Sequence, residues 1–226
     1  MIPNKDTNTV YLSKLLLSDK RFEANCGALT KILNKHAIPY EFLDATKDIW
    51  CRDYMPIQID VNKLVQFRFE PSYLKDYQEL QSDPKVVCAA NNIHPQFSTI
   101  NLDGGNVVQW RDKAIISDRI FDENPEYTNK SKLISDLVKL LDVEVIIVPQ
   151  IKSDMTGHVD GMLRFVDGNT VLGNDRAMEN KYWRQGINKV LKEKNIDYID
   201  IPFLDHKIKN NSIHSIGCYV NYLEVG

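Results

Sequence analysis

The sequence predicts an α/β protein built from repeated strand–strand–helix–strand modules, each of about fifty residues. Two observations support this fold class. Short alternating or fully apolar runs, typical of strands, recur along the chain, and amphipathic segments of helical period stand between them. Such a repeat favours a modular architecture over one open, doubly wound sheet. Because no Gly/Ser-rich linker or low-complexity tract interrupts the chain, we expect a single domain over residues 1–226.

The helices are predicted from apolar residues spaced three and four apart. In residues 20–36 these are Phe22, Cys26, Leu29, Ile32 and Leu33. A second helix is predicted around 133–141, where leucines recur on one face, and a third near 178–194. Residues 70–97 contain three prolines and are predicted to mix a loop with a short helix.

The strands are predicted from β-branched and aromatic runs bounded by turn residues. The predicted strands are 9–13, 38–43, 98–102, 107–110, 114–117, 143–148, 158–166, 170–173, 197–201 and 215–226.

The net charge, the length of the apolar runs and the cysteine pattern argue against several classes of function. With 28 basic and 31 acidic residues, the formal net charge of −3 argues against nucleic acid or an anionic membrane as the main partner. No apolar run is long enough to span a bilayer, and the N-terminus lacks the form of a signal peptide. The four cysteines form no CxxC pair, which predicts reduced thiols in a cytoplasmic protein.

The stretch 154–166 carries an imidazole and a carboxylate two residues apart. If the segment is a strand, His158 and Asp160 share one face, while Val159, Leu163 and Phe165 face the core. This pairing favours proton transfer beside a cationic substrate. The alternative is a satisfied polar pair at the end of a sheet.

Two further stretches carry candidate binding residues. In WCRDYMP, at residues 50–56, Trp50 can stack on a planar cation that Asp53 holds by paired hydrogen bonds. The alternative is an Arg52–Asp53 pair that ties the loop, with Trp50 in the core. In LDGGN, at residues 102–106, two glycines permit a close backbone approach to a ligand, although the same residues also suit a hairpin turn.

Together with TGHVDGM at 156–162 and GCYVNYLEVG at 217–226, these motifs resemble, in order, the agmatine deiminase and bacterial peptidylarginine deiminase family. The resemblance runs from about residue 40 to Gly226. It implies the pentein fold of the guanidine-modifying superfamily, a five-bladed propeller of ββαβ units. It also implies hydrolysis of a guanidinium group through a covalent thiouronium, without metal or organic cofactor.

The resemblance further implies a role for individual residues. Asp53 and Asp160 would grip the guanidinium, and His158 would be the general acid and base. The residues implied for substrate binding are Trp50, Arg52, Asp103, Gly104, Gly105, Asn106 and Asp154. Within this set, Asp103 stands where family members often have Glu, and Asp154 would orient the His158 ring.

The sequence departs from the family in its nucleophile. The family's late Gly-Gly-x-x-His/Asn-Cys-type segment has no counterpart, and none of Cys26, Cys51, Cys88 and Cys218 matches its position. Cys26 and Cys88 fit buried helix positions, and Cys218, four residues after His214, is a weak substitute. We therefore expect a chain that lacks the closing unit and is inactive alone. It would be either a truncation or a homo-oligomer whose second copy covers the open edge.

Several functional alternatives remain open at this level. The substrate is a small guanidine such as agmatine, free arginine or a peptidyl-arginine side chain, and the short chain favours agmatine. A non-catalytic guanidine-binding protein and an inert fragment are alternatives within the same fold. The third class of function is a metal-dependent hydrolase in which His158, Asp160 and His214 bind the metal.

Overall fold

The computed structural model describes residues 1–202 and 219–226 and shows a mixed α/β fold. Its strands are β1 (Val10–Ser13), β2 (Tyr40–Leu43), β3 (Ile57–Asp60), β4 (Lys63–Arg68), β5 (Gln96–Asn101), β6 (Val108–Trp110), β7 (Lys113–Ser117), β8 (Glu144–Val148), β9 (Leu163–Asp167), β10 (Thr170–Asn174) and β11 (Asp197–Ile201). Its helices are α1 (Leu15–Ser18), α2 (Glu23–Lys35), α3 (Cys51–Tyr54), α4 (Pro84–Ala90), α5 (Arg119–Asp122), α6 (Lys130–Leu141) and α7 (Lys181–Glu193).

The described strands form four separate sheets, three of which repeat one topology. In each of the sheets β3-β4-β5, β6-β7-β8 and β9-β10-β11, the first two strands are antiparallel and the third runs parallel to the second. A helical segment crosses between the second strand and the third. The fourth sheet has only β1 and β2, parallel and joined by α1 and α2. The predicted ββαβ repeat is therefore confirmed within the described residues.

Each longer helix buries one stripe of side chains against its sheet. In α6 the buried residues are Leu133, Leu137 and Leu141, one per turn on a single face. In α7 they are Trp183, Ile187 and Leu191, again four apart. Asn129 caps α6 by accepting hydrogen bonds from the backbone N–H groups of the first turn.

The predicted helix positions of two cysteines are also confirmed, since Cys26 lies buried in α2 and Cys88 in α4. None of the helices in the described ranges has the length and apolar character needed to cross a membrane.

The sequence prediction was wrong at the functional stretch 158–166. Strand β9 begins only at Leu163, and His158 precedes a 3-10 turn over Val159–Gly161. A tight turn comes just before it, because Gly157 has φ of +62° and the Asp154 carboxylate accepts from the N–H groups of Thr156 and Gly157. His158 and Asp160 are thus placed by a turn, not by the pleat of a strand.

The sequence prediction also missed one hairpin and was wrong about one strand. The hairpin β3–β4 was not predicted, although Ile57, Ile59, Val65 and Phe67 are all buried. The strand predicted over 215–226 does not form at 219–226, and its first residues, with Cys218 and His214, lie outside the described residues. There the Val220 carbonyl accepts from Arg164 Nε at 3.0 Å, and the Gly226 N–H donates to Thr7.

Candidate active site

Three short turns from different modules bring the candidate residues together. Asp53 lies on the one-turn helix α3, Asp103 precedes the 3-10 turn Gly104–Asn106, and His158 and Asp160 flank the start of Val159–Gly161. Each turn adjoins a strand, so the rigid sheets fix its position. The three motifs predicted from sequence therefore meet in space.

The centre of the cluster is the imidazole of His158, which is 7% exposed. Its Nε2 lies 2.7 Å from Asp103 Oδ2, and its Nδ1 lies 3.6 Å from Asp53 Oδ1. Burial alone would lower the pKa of His158. The hydrogen bond to Asp103 and the charges of Asp53, Asp103 and Asp160 outweigh burial, so the pKa of the imidazole is raised.

The two remaining carboxylates are held in environments that disfavour their charge. Burial raises the pKa of Asp53 to about 6, against the favourable charge of His158 and with the unfavourable charges of Asp103 and Asp160. Burial also raises the pKa of Asp160, which Arg52, His158 and Arg164 partly offset. An additional cation nearby would stabilise the ionised form of both carboxylates.

The two glycines form the floor between the motifs. A Cβ at Gly104 would lie 1.9 Å from the carbonyl oxygen of Arg52. A Cβ at Gly105 would lie 2.5 Å from both Asp53 Oδ1 and His158 Nδ1. The Gly105 N–H also donates to Asp53 Oδ1 at 3.0 Å. Glycine is therefore required at both positions. A side chain at Gly104 would collide with the Arg52 backbone, and one at Gly105 would separate the carboxylate from the imidazole.

Asn106 joins two of the turns rather than facing an open pocket. Its Oδ1 accepts from the backbone N–H of Ser117 at 3.0 Å. The Ser117 hydroxyl in turn donates to the Gly157 carbonyl at 2.7 Å. Ser117, at the end of β7, thus links the Gly-Gly-Asn turn to the histidine turn, a role that its position at a predicted strand end did not reveal.

Arg52 lies against Asp160 instead of pairing with Asp53. Its Nε is 3.4 Å from Asp160 Oδ2, and its Nη2 donates to the Val107 carbonyl at 2.7 Å. The alternative prediction, in which Arg52 pairs with Asp53 and ties the loop, is therefore wrong. One oxygen of Asp160 is thereby oriented by an internal guanidinium.

Trp50 and Asp154 lie at the periphery. Trp50 is 65% exposed, which excludes the alternative that it is a core residue. Asp154 is exposed, and its Oδ1 accepts from the Thr156 hydroxyl at 2.8 Å. The Thr156 hydroxyl oxygen accepts from the backbone N–H of His158 at 3.3 Å. Asp154 is therefore linked to the backbone of His158 through Thr156, and does not orient the imidazole ring as predicted.

One residue of the cluster was not predicted. The hydroxyl of Tyr73 donates to Asp103 Oδ2 at 3.0 Å, and its ring packs edge-on against the His158 ring, with centroids 5.9 Å apart. Tyr73 lies in the Pro-rich stretch that was predicted only as loop and short helix, where no pattern distinguishes it.

The described cysteines lie elsewhere. Cys51 is buried and shares a 3.3 Å hydrogen bond with the Tyr54 hydroxyl, and burial raises the pKa of its thiol to about 11. Burial also raises the pKa of the Cys88 thiol to about 11. Among the described residues, no group of three or more His, Cys, Asp or Glu side chains has a geometry that would hold a metal ion.

The chain was compared with protein-family models, curated proteins and solved structures. Comparison with curated proteins gives no significant match. Among solved structures, a cysteine-to-serine variant of the C. jejuni agmatine deiminase with substrate bound matches with a TM-score of 0.76 and 17% identity, over 99% of this chain and 79% of that one. A Porphyromonas gingivalis protein described as a candidate arginine deiminase gives 0.75 and 16%, over 99% and 82%. The agmatine deiminase of Enterococcus faecalis gives 0.59 and 15%, over 96% and 68%.

These structural likenesses establish a shared fold. The family model of the Porphyromonas-type peptidyl-arginine deiminases matches residues 11–225, almost the entire chain. The chain therefore belongs to the Porphyromonas-type peptidyl-arginine deiminase family.

Proposed function

We propose that this chain binds a guanidinium group between Asp53 and Asp160 and supplies His158 for the proton transfers of hydrolytic deimination. The reaction would convert agmatine or an arginine side chain into its carbamoyl or citrulline product and release ammonia. The observation that supports this most strongly is the convergence of three carboxylates, from Asp53, Asp103 and Asp160, on one buried imidazole.

The charge of the cluster favours a cationic ligand. A guanidinium is planar and presents paired N–H donors, which match the two oxygens of a carboxylate. Burial disfavours the ionised forms of Asp53 and Asp160, and a bound cation would restore them. Arg52 contacts Asp160 through Oδ2, and we assign the other oxygen, Oδ1, to the ligand.

The two nitrogens of His158 have different tasks in this proposal. Nε2 is engaged by Asp103, which fixes the ring and stabilises its protonated form. Nδ1 faces Asp53 across Gly105, on the side where the guanidinium would lie. Nδ1 would therefore give a proton to the departing ammonia and later take one from the attacking water.

The proposed substrate is a small guanidine such as agmatine. A C. jejuni relative of the same fold is an agmatine deiminase with substrate bound. The exposed Trp50 at the periphery supplies an aromatic face for the aliphatic or cationic part of such a ligand. The family description leaves an arginine side chain of a peptide as the second substrate.

Thiouronium chemistry requires a thiolate, and none of Cys26, Cys51 and Cys88 fits that role. All three are buried within or beside helices, and the thiols of Cys51 and Cys88 have raised pKa values, which makes them poor nucleophiles. Cys218, outside the described residues, is only a weak substitute by its sequence position. We therefore propose that the 226-residue chain supplies the guanidinium-binding and proton-transfer groups of the reaction but, when tested alone, binds agmatine without releasing ammonia.

The architecture proposed with this function is a pentein-type propeller whose blades are the three ββαβ sheets and the β1–β2 sheet. The repeated topology supports it. A second copy of the chain would then cover the open edge, and sedimentation equilibrium would detect it as a dimer.

Two measurements on the purified chain test the function. Isothermal titration calorimetry with agmatine should show saturable binding, and an ammonia assay with agmatine, arginine and a blocked peptidyl-arginine should show no turnover. Ammonia release that disappears in a Cys218→Ala variant would contradict the proposed absence of a nucleophile. No binding of any of the three guanidines would contradict the proposed site.

A further inference from the structure

The Tyr73 hydroxyl and the His158 imidazole share one oxygen atom. Asp103 Oδ2 accepts from Tyr73 at 3.0 Å and contacts His158 Nε2 at 2.7 Å. Burial and the neighbouring Asp103 carboxylate raise the pKa of Tyr73 well above its usual range, so its hydroxyl stays protonated and acts as a donor. The carboxylate oxygen therefore has two donors, and each affects how strongly it holds the other.

Tyr73 is held in place by a network that does not include the active site. It lies in the 3-10 turn Ser72–Leu74, and the Ser72 backbone and hydroxyl both donate to the Glu123 carboxylate, at 3.0 and 2.6 Å. Arg119 completes the network, donating to Glu123 at 3.0 Å and to Ser72 Oγ at 2.9 Å. Its guanidinium also lies 5.9 Å from the centroid of the Tyr73 ring.

This network spans two modules. Arg119 and Glu123 belong to α5 and its C-terminal flank, which follow β7, whereas the Tyr73 turn follows β4. The side chains of Arg119 and Glu123 are only 16% and 13% exposed, so the ion pair is shielded from solvent. The hydroxyl of Tyr73 is consequently aimed at Asp103 by a rigid support, not by a free loop.

We propose that Tyr73 is a positioning residue that orients the Asp103 carboxylate and thereby keeps the proton of neutral His158 on Nε2. This leaves the Nδ1 lone pair facing Asp53, where the proposed function, on which the importance of this role rests, requires a base. The titratable groups that face His158 are Asp53 from α3, Asp103 from the Gly-Gly-Asn turn, Asp160 from its own turn and Tyr73.

The hydroxyl also moderates the basicity of His158. By donating to Oδ2, Tyr73 withdraws part of the negative charge that stabilises the imidazolium. Without the hydroxyl, Asp103 keeps its full negative charge near the imidazolium, so the pKa of His158 should rise. The carboxylate also loses the contact that fixes its orientation, so Asp53, which lies near Nδ1, can compete with Asp103 for the proton of the neutral ring.

The test is an NMR titration of the histidine rings in the ligand-free chain, with His158 assigned by its loss in a His158→Gln variant. In Tyr73→Phe, which keeps the ring that packs on His158, we expect the pKa of His158 to rise by about half a unit to one unit. The ring ¹⁵N shifts should change from the Nε2–H tautomer to a mixture.

Tyr127→Phe is the matched control, because Tyr127 also donates to an aspartate, Asp136, at 3.3 Å, away from the site. It should leave His158 unchanged. Glu123→Ala removes the support of the Tyr73 turn but keeps the Tyr73 hydroxyl, and it should change the tautomer in the same direction. This variant replaces Tyr73→Phe in the test if Tyr73→Phe does not fold. Unchanged pKa and tautomer in the folded variant would overturn the proposal. Failure of agmatine to bind would not affect this readout, so the two proposals fail separately.

Discussion

His158 and Asp103 are joined by a 2.7 Å contact between Nε2 and Oδ2, although 55 residues separate them in the sequence. The contact connects the turn before β6 to the turn before β9. A charge-assisted hydrogen bond in such a shielded place contributes about 1.5–3 kcal/mol. It also leaves the other ring nitrogen, Nδ1, directed toward Asp53.

The position of Gly105 between Asp53 and His158 gives the first prediction. In Gly105→Ala the new methyl group would collide with both side chains at 2.5 Å, so agmatine binding should weaken by at least about 100-fold. Gly27→Ala, where a Cβ meets nothing within 4 Å, is the control and should bind normally. Calorimetry compares the two, and normal binding by Gly105→Ala would contradict the described geometry.

The raised pKa of Asp53 predicts that this side chain lowers the free energy of unfolding at neutral pH. Because its folded-state pKa of about 6 exceeds the unfolded value, the ionised carboxylate destabilises the fold at pH 7. Asp53→Asn keeps the acceptor for the Gly105 N–H and should raise the free energy of unfolding by about 1–3 kcal/mol at pH 7. The stability gain of Asp53→Asn over the parent chain should shrink as the pH falls from 6 to 4, because Asp53 of the folded parent chain becomes protonated and neutral. Urea unfolding at several pH values measures this, and a destabilised Asp53→Asn at pH 7 would refute it.

The same pKa predicts how ligand binding depends on pH. A guanidinium requires ionised Asp53, and the pKa of this carboxyl is about 6. The affinity for agmatine should therefore fall about tenfold between pH 7 and pH 5. Titrations near pH 6 in buffers of different ionisation enthalpy should show proton release on binding. An affinity independent of pH over this range would count against Asp53 as a ligand.

The exposed indole of Trp50 separates a binding role from a structural one. Since the residue is 65% exposed, Trp50→Ala should change the free energy of unfolding by less than about 0.5 kcal/mol. Its agmatine dissociation constant should rise about five- to tenfold if the ring covers the ligand. Tyr77→Ala, another exposed aromatic, controls for general surface effects. An unchanged dissociation constant would remove Trp50 from the proposed pocket.

The link between Asn106 and Ser117 should be structural. Asn106→Ala leaves the buried Ser117 N–H without its acceptor and should cost about 1–3 kcal/mol of stability. The exposed Asn8→Ala should stay within about 0.5 kcal/mol of the parent chain. Equal stability of both variants in urea unfolding would show that the contact contributes little.

Local patterns were enough to predict much of the fold, whereas the candidate cluster was predicted from a family resemblance. The ββαβ repeat follows from the period of apolar residues such as Leu133 and Leu137, which depends only on neighbouring sequence. The clustering of Asp53, Gly105 and His158 came from the resemblance of motif order to a known family.

The remainder depends on tertiary contacts. His158 was assigned to a strand because alternation alone does not reveal the turn set by Gly157 and Asp154. Tyr73 could not be predicted because its partner is 30 residues away and its support comes from another module. Arg52 likewise finds Asp160, 108 positions along the chain, rather than its neighbour Asp53.

The most direct test of the central claim, that Asp160 and Asp53 grip a guanidinium, is calorimetry of agmatine with Asp160→Asn. This substitution removes the carboxylate charge and keeps the shape of the side chain. Asp76→Asn, an exposed position with the same change in charge, is the control. We predict saturable binding to the parent chain and to Asp76→Asn, and an affinity at least about 100-fold lower in Asp160→Asn. Equal affinity of Asp160→Asn and the parent chain would contradict the proposed site.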